Sequence, residues 1–168
     1  MICIRATKYD PSKRDNQGLY TFNEFTSASD VGKKIGDINV SVEIYLFSDD
    51  AYVLCVRRLL EASRVSSLRI LQLEDKRGTT LLDSEIEKLR PASLGPVYEG
   101  MVVSGTNLDK VVRMTLRELI WCKLIGDNGV YVNFGYDYYM YIGSNIDMIS
   151  LGEPPQGMFY EEMESPYA

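Results

Sequence analysis

Ile2 and Ile4 alternate with polar neighbours in "MICIRATKY", the period-two pattern of a strand with one buried face. Residues 10–18, "DPSKRDNQG", interrupt it with Pro, Asn, Asp and Gly, residues that favour turns. "LYTFNEF" then predicts a short second strand, and "TSASDVGKKIGD" a loop with room for one helical turn. Residues 41–47, "SVEIYLF", suit strand and helix equally. Beyond them the period changes. Tyr52, Val56, Leu59 and Leu60 recur at helical spacing, with Arg57, Arg58 and Glu61 on the other side, so a helix is predicted over 49–63. Ser48 stands where a cap would, and Asp49 and Asp50 then fall in the first turn, where the helix dipole favours anions.

"SLRILQLED" reads as a strand, "LLDSEIEKLR" as a short helix closed by Pro91, and "PVYEGMVVSG" as an edge strand or extended link. A second long helix is predicted over 107–124, with Asn107 as cap and an apolar stripe of Leu108, Val112, Leu116, Leu119 and Ile120. Lys110, Arg113 and Arg117 form a basic stripe on another of its faces, the pattern of a solvated surface or of a stripe that neutralises part of the acidic tail within the fold. "GDNG" marks a turn, "VYVNF" and "YYMYIG" a hairpin, "SNIDMISLGEPPQG" a long polar loop, and "MFYEEME" a last strand. The order predicts an α+β fold in a single domain spanning 1–168. Its sheet would be mixed or mainly antiparallel, with two or three packed helices and a C-terminal run of three strands. Successive strands of that kind argue against a doubly wound parallel sheet.

Composition narrows the chemistry. With 168 residues, 45% hydrophobic and 25% charged, the chain suffices for one real core. No apolar run approaches the ~18 residues of a membrane span, and "MICIRATKYD" is charged too early for a signal peptide, so a cytosolic protein is expected. Cys3, Cys55 and Cys122 are scattered and odd in number, which fits buried free thiols rather than a disulfide framework or a zinc site. Histidine is absent, so Ser–His and Cys–His nucleophile pairs cannot form and the commonest metal ligand is missing. No dinucleotide fingerprint, phosphate-binding loop or metalloprotease motif occurs. Glycine ahead of the helix start in "VSGTNLDK" could favour an anion, but an ordinary helix cap explains it as well. No catalytic residue, metal site or cofactor is therefore expected.

Charge is distributed unevenly. Residues 1–123 hold all eighteen Lys and Arg against seventeen Asp and Glu, a balance of +1 within a net charge of −6. Residues 124–168 hold no base and seven acids: Asp127, Asp137, Asp147, Glu153, Glu161, Glu162 and Glu164. They also hold seven of the twelve tyrosines. An acidic surface repels phosphate backbones, so direct nucleic-acid binding there is not expected, whereas a basic protein surface would be attracted. Solvation of the outer face of a half-buried sheet accounts for the same acids without any partner. In a terminal strand Glu162 and Glu164 would share one face and Glu161 the other.

Four stretches together resemble the immunity proteins of bacterial contact-dependent growth inhibition and related polymorphic toxin systems. They are "RDNQGLYTFNEFTSASDVGK" (14–33), "LRELIWCKL" (116–124), "FGYDYYMYIG" (134–143) and "GMFYEEMESPY" (157–167). Phe25 stands where that family would be expected to carry Trp. The resemblance implies a cytoplasmic, non-enzymatic protein that binds one cognate toxin domain, in a 1:1 complex, and blocks it. Many such toxins are nucleases, often acting on transfer RNA, and a nuclease cleft is basic because it holds phosphates. An acidic, Tyr-rich surface would then imitate substrate charge and stack aromatic rings where bases lie.

On this reading the expected partner-binding residues are Asp137, Tyr139, Asp147, Glu153, Glu161, Glu162 and Glu164. The alternatives are that the aromatic strands are scaffold and contacts lie in stretches such as 75–107 or 144–157, that the protein is a small carboxylate- and tyrosine-dependent enzyme, or that it is a general interaction module. In "YDYYMY", Tyr139 and Tyr141 should share one strand face and Tyr138 and Met140 the other.

Overall fold

The computed structural model describes residues 2–78, 84–145 and 151–164. Nine strands are named within them: β1 (Ile2–Thr7), β2 (Lys34–Ile35), β3 (Ile38–Asn39), β4 (Leu68–Asp75), β5 (Val102–Val103), β6 (Ile120–Ile125), β7 (Tyr131–Phe134), β8 (Tyr139–Ser144) and β9 (Phe159–Glu162). Three α-helices join them: α1 (Val42–Ser63), α2 (Ser84–Leu89) and α3 (Gly105–Leu116). The fold is α+β. Seven strands form one sheet in the order β5-β4-β6-β7-β8-β1-β9, every pairing antiparallel, and β2 and β3 form a small separate hairpin.

Strand register explains the core. Ile4, Ile142, Val132, Leu124 and Ile70 stand opposite one another across five neighbouring strands, and all five are buried. Helix α1 packs on β1 and β8, and α3 packs on β5 and β6. Tyr52, Val56 and Leu59 of α1 and Val111, Val112 and Met114 of α3 complete this core. Each such side chain contributes roughly 1.5–3 kcal/mol by leaving water.

Several expectations are corrected. The first long helix begins seven residues earlier than the 49–63 reading, at Val42, and Ser41 rather than Ser48 caps it by accepting from the Ile44 N–H (3.3 Å). Tyr45 and Leu46 are buried at helical spacing, which decides the ambiguous 41–47 stretch. The helix expected over 107–124 is two elements. Glu118 takes a left-handed φ of 59°, the Leu119 N–H bonds back to the Met114 carbonyl (2.9 Å), and the chain restarts as β6 with Ile120, Cys122 and Leu124 buried alternately. "LRELIWCKL" satisfies both periods, so its apolar residues did not reveal the break. The run after α3 consequently has four named strands. "LYTFNEF" forms only an isolated bridge between Arg14 and Tyr20, and Ser104, not Asn107, occupies the cap position of α3.

Two members of the basic stripe, Arg113 and Arg117, do not face solvent, whereas Lys110 is half-exposed. Asp49 and Asp50 lie inside α1, not in its first turn, and Asp49 is wholly buried. Arg113 bonds both of them, Arg117 bonds Asp49 (3.0 Å) and Glu87 (3.1 Å), and Arg90 reaches Asp50 (3.3 Å). This network ties α1, α2 and α3 together, with Asp49 and Arg117 away from water and the Arg90–Asp50 pair at its exposed end. Its desolvation cost is offset only while the partners stay matched.

Cys3, Cys55 and Cys122 are buried free thiols. No helix among the described residues is long and apolar enough to cross a membrane.

Candidate functional site

The turn between β7 and β8 departs most from ordinary backbone. Asp137 and Tyr138 both have positive φ, 55° and 62°, the handedness of a type I′ turn. The Tyr139 N–H bonds to the Tyr136 carbonyl (3.2 Å) and the Gly135 N–H to the Tyr139 carbonyl (2.7 Å). Such turns favour Asn or Gly, and a left-handed conformation costs an ordinary L-residue roughly 1–2 kcal/mol. Core packing holds it. The Tyr138 ring is 6% exposed, with ring centroids of Phe25 and Tyr52 each 5.7 Å away and that of Tyr45 at 6.4 Å. The Tyr52 hydroxyl donates to the Tyr138 carbonyl and accepts from the Lys8 N–H (3.0 Å). With its second residue anchored inside, the turn leaves Tyr136 91% exposed and Asp137 exposed beside it.

Beside this turn lies a cleft of about 500 Å³, between the end of α3 and the starts of β6 and β8. Its charged lining is Glu74, Glu118 and Asp137 against Lys76: three negative charges less one positive, or −2. Lys76 stands 3.6 Å from Glu74 at the solvent edge. Thr115 and Leu116, in the last turn of α3, also line it, so the negative end of the helix dipole adds to the carboxylates. Trp121 Nε1 donates to the Phe134 carbonyl (3.2 Å), which fixes its ring in the wall. Carboxylates over fixed aromatic faces suit a guanidinium or ammonium group, since a ring face attracts cations within about 6 Å.

The expected residues do not form one surface. Asp137 and Tyr139 line the cleft. Tyr139 is half-buried and partly engaged: its ring lies 5.4 Å from that of Tyr9, with the guanidinium carbons of Arg5 and Arg14 at 5.1 and 5.8 Å. Glu161 is half-buried and engaged within the fold. Antiparallel register sets it opposite Arg5, which grips it through two bonds (2.9 and 3.0 Å), and Arg14 adds a third (3.2 Å). The bond to Glu161 raises the pKa of Arg5 above that of a free arginine, although burial opposes it. Glu162 is exposed on β9 opposite Ile4, and Glu164 is exposed past the end of that strand. Both lie along the sheet edge away from the turn. Glu153 is exposed elsewhere, its carbonyl accepting from Arg58. Asp147 lies outside the described residues. Tyr138 and Met140 face the core and Tyr139 and Tyr141 are half-buried on the other face, as strand alternation requires.

Glu74, Glu118, Trp121 and Tyr136 were missed. Glu118 and Trp121 fall in a stretch whose apolar period reads as helical, and Glu74 reaches the cleft past an irregularity in β4 between Leu71 and Glu74. Only the single Trp of the chain was a usable signal. Contacts join the four stretches that carry the resemblance: Phe25 touches Tyr138 and Trp121 bonds Phe134 beside the turn, and Arg14 bonds Glu161 on β9. No family model matches the chain, and no curated protein or solved structure matches it either.

Proposed function

We propose that this protein is a non-enzymatic immunity protein that binds one cognate toxin domain in a 1:1 complex in the cytoplasm. The cleft takes lysine or arginine side chains from the basic active-site rim of the toxin, most simply a nuclease, and so denies that rim to its phosphate-bearing substrate. The observation carrying this reading is the cleft itself, with Glu74, Glu118 and Asp137 beside Trp121 and the projecting Tyr136. Complementary charge would speed encounter, and the aromatic groups would hold the docked cation after water leaves. Three of the four family-like stretches, through Phe25, Trp121 and Tyr138, meet at this turn, which supports the same reading.

The test is protection of cells expressing the toxin domain encoded beside this gene, together with association kinetics. Reversing Glu74, Glu118 and Asp137 to Lys should abolish protection and remove the salt dependence of association. Reversing Glu153, Glu162 and Glu164 should leave both nearly intact. Equal loss from the second set would move the contact to the β9 edge. Retention of protection and kinetics in the first set would overturn the mechanism.

A further inference from the structure

A second cavity, of about 530 Å³, opens between the β2–β3 hairpin and the first turns of α1. Its wall is Phe25, Ile35, Ile38, Val40, Ile44 and Phe47. Ile38, Ile44 and Phe47 are among the large apolar side chains left exposed, so the wall continues onto the surface. The Phe47 ring rests on the backbone of Gly157, where a Cβ would stand 2.6 Å from the ring edge.

Lys8 lines this cavity and is the only lysine among the buried residues. Its ammonium bonds Glu24 (3.1 Å) and lies 4.2 and 4.0 Å from the ring centroids of Tyr9 and Phe25. The Tyr20 hydroxyl donates to the other oxygen of Glu24. Burial lowers the pKa of Lys8, outweighing the attraction of Glu24. An amine, a carboxylate that can carry its proton and an apolar chamber thus share one place. Glu24 and Glu43 at the cavity disfavour an anionic guest, and its wall disfavours a strongly hydrated one.

We propose that this cavity binds a neutral, apolar carbonyl compound, an aliphatic or aromatic aldehyde, and that Lys8 condenses with it to an imine. Glu24 takes a proton from the ammonium, and the freed amine attacks the carbonyl carbon. Proton transfer from nitrogen to oxygen gives a neutral carbinolamine. Glu24 then returns its proton to that hydroxyl, water leaves, and the nitrogen lone pair forms the C=N bond. An iminium has replaced an ammonium, one water has been released, and no oxidant or reductant is consumed. The positive charge remains between Glu24 and the two rings, which stabilise the iminium as they did the ammonium. The proposal is independent of the toxin-binding reading.

The experiment is reductive trapping of the full chain with hexanal and sodium cyanoborohydride, followed by peptide mass mapping. Lys8 should be labelled first of the eight lysines, with a rate that saturates in hexanal. Glyoxylate, an anionic aldehyde, should show no such preference. Ile44→Glu, on the exposed wall, should slow labelling at Lys8 by about tenfold, because it sets a charge against an apolar guest, and leave the other lysines unchanged. Labelling of Lys8 no faster than the other seven, or equal labelling by glyoxylate, would overturn the proposal.

Discussion

Asp49 and Asp137 carry the same charge and serve opposite ends. Asp49 is wholly buried between Arg113 and Arg117, whereas Asp137 stands exposed on a left-handed turn at the mouth of a cleft. The first was matched within the fold and leaves no field outside. The second keeps its field for whatever approaches. A count of charges along a chain cannot separate these cases, because pairing is decided by which helix faces which. Glu161 shows the point within the acidic tail: it is spent on Arg5 and Arg14.

The contrast breaks most sharply at Asp49. Asp49→Ala takes the shared carboxylate from buried Arg117 and half-buried Arg113 and should cost about 3–5 kcal/mol in urea unfolding. A loss below about 1 kcal/mol would mean the network is no more than a surface-like pair. Tyr138→Gly comes next. Deleting a buried ring costs about 3–5 kcal/mol, less about 1–2 for relief of the left-handed backbone, so a net loss of about 1–4 is expected in the same assay.

Glu87 offers a pH test. Burial would raise its pKa, but bonds from Ser93, the Ala92 and Ser93 N–H groups and the charge of Arg117 outweigh that and hold it below the usual carboxylate range. A depressed folded pKa stabilises above the unfolded value, about 4.3, and that stability is lost as pH falls through the folded value. Glu87→Gln should therefore cost about 1–3 kcal/mol at pH 7, and the gap to the parent should close on acidification below about pH 4.5. A gap that does not vary with pH would assign the loss to shape alone.

Asp137→Gly sharpens the other side of the comparison. Stability should change by less than about 1 kcal/mol, since glycine relieves the turn but loses more chain entropy. Association with a basic partner should slow and become less sensitive to salt, measured by stopped-flow mixing. The smallest effect is expected from Glu162→Lys with Glu164→Lys, within about ±0.5 kcal/mol per change in stability.

Much of the fold could be read in advance where one period dominated. "MICIRATKY", "SLRILQLED" and the β7–β8 pair became strands because their alternation had no helical competitor. "LRELIWCKL" could not be read, since its apolar residues satisfy a helix and a strand alike and only the left-handed Glu118 decides. The β2–β3 hairpin, two residues per strand, is too short to show alternation. At the candidate site the sequence pointed to Asp137 and Tyr139. It could not point to Glu74 or Glu118, which tertiary folding brings from β4 and the end of α3.

The sheet order has a consequence for the timing of synthesis. Strand β1 is emitted first, yet both of its neighbours, β8 and β9, come from residues 139–162. During translation β1 must therefore wait, unpaired, until residues 139–162 emerge. Contacts of such long reach slow folding, so the β8-β1-β9 end of the sheet closes only after β8 and β9 are available.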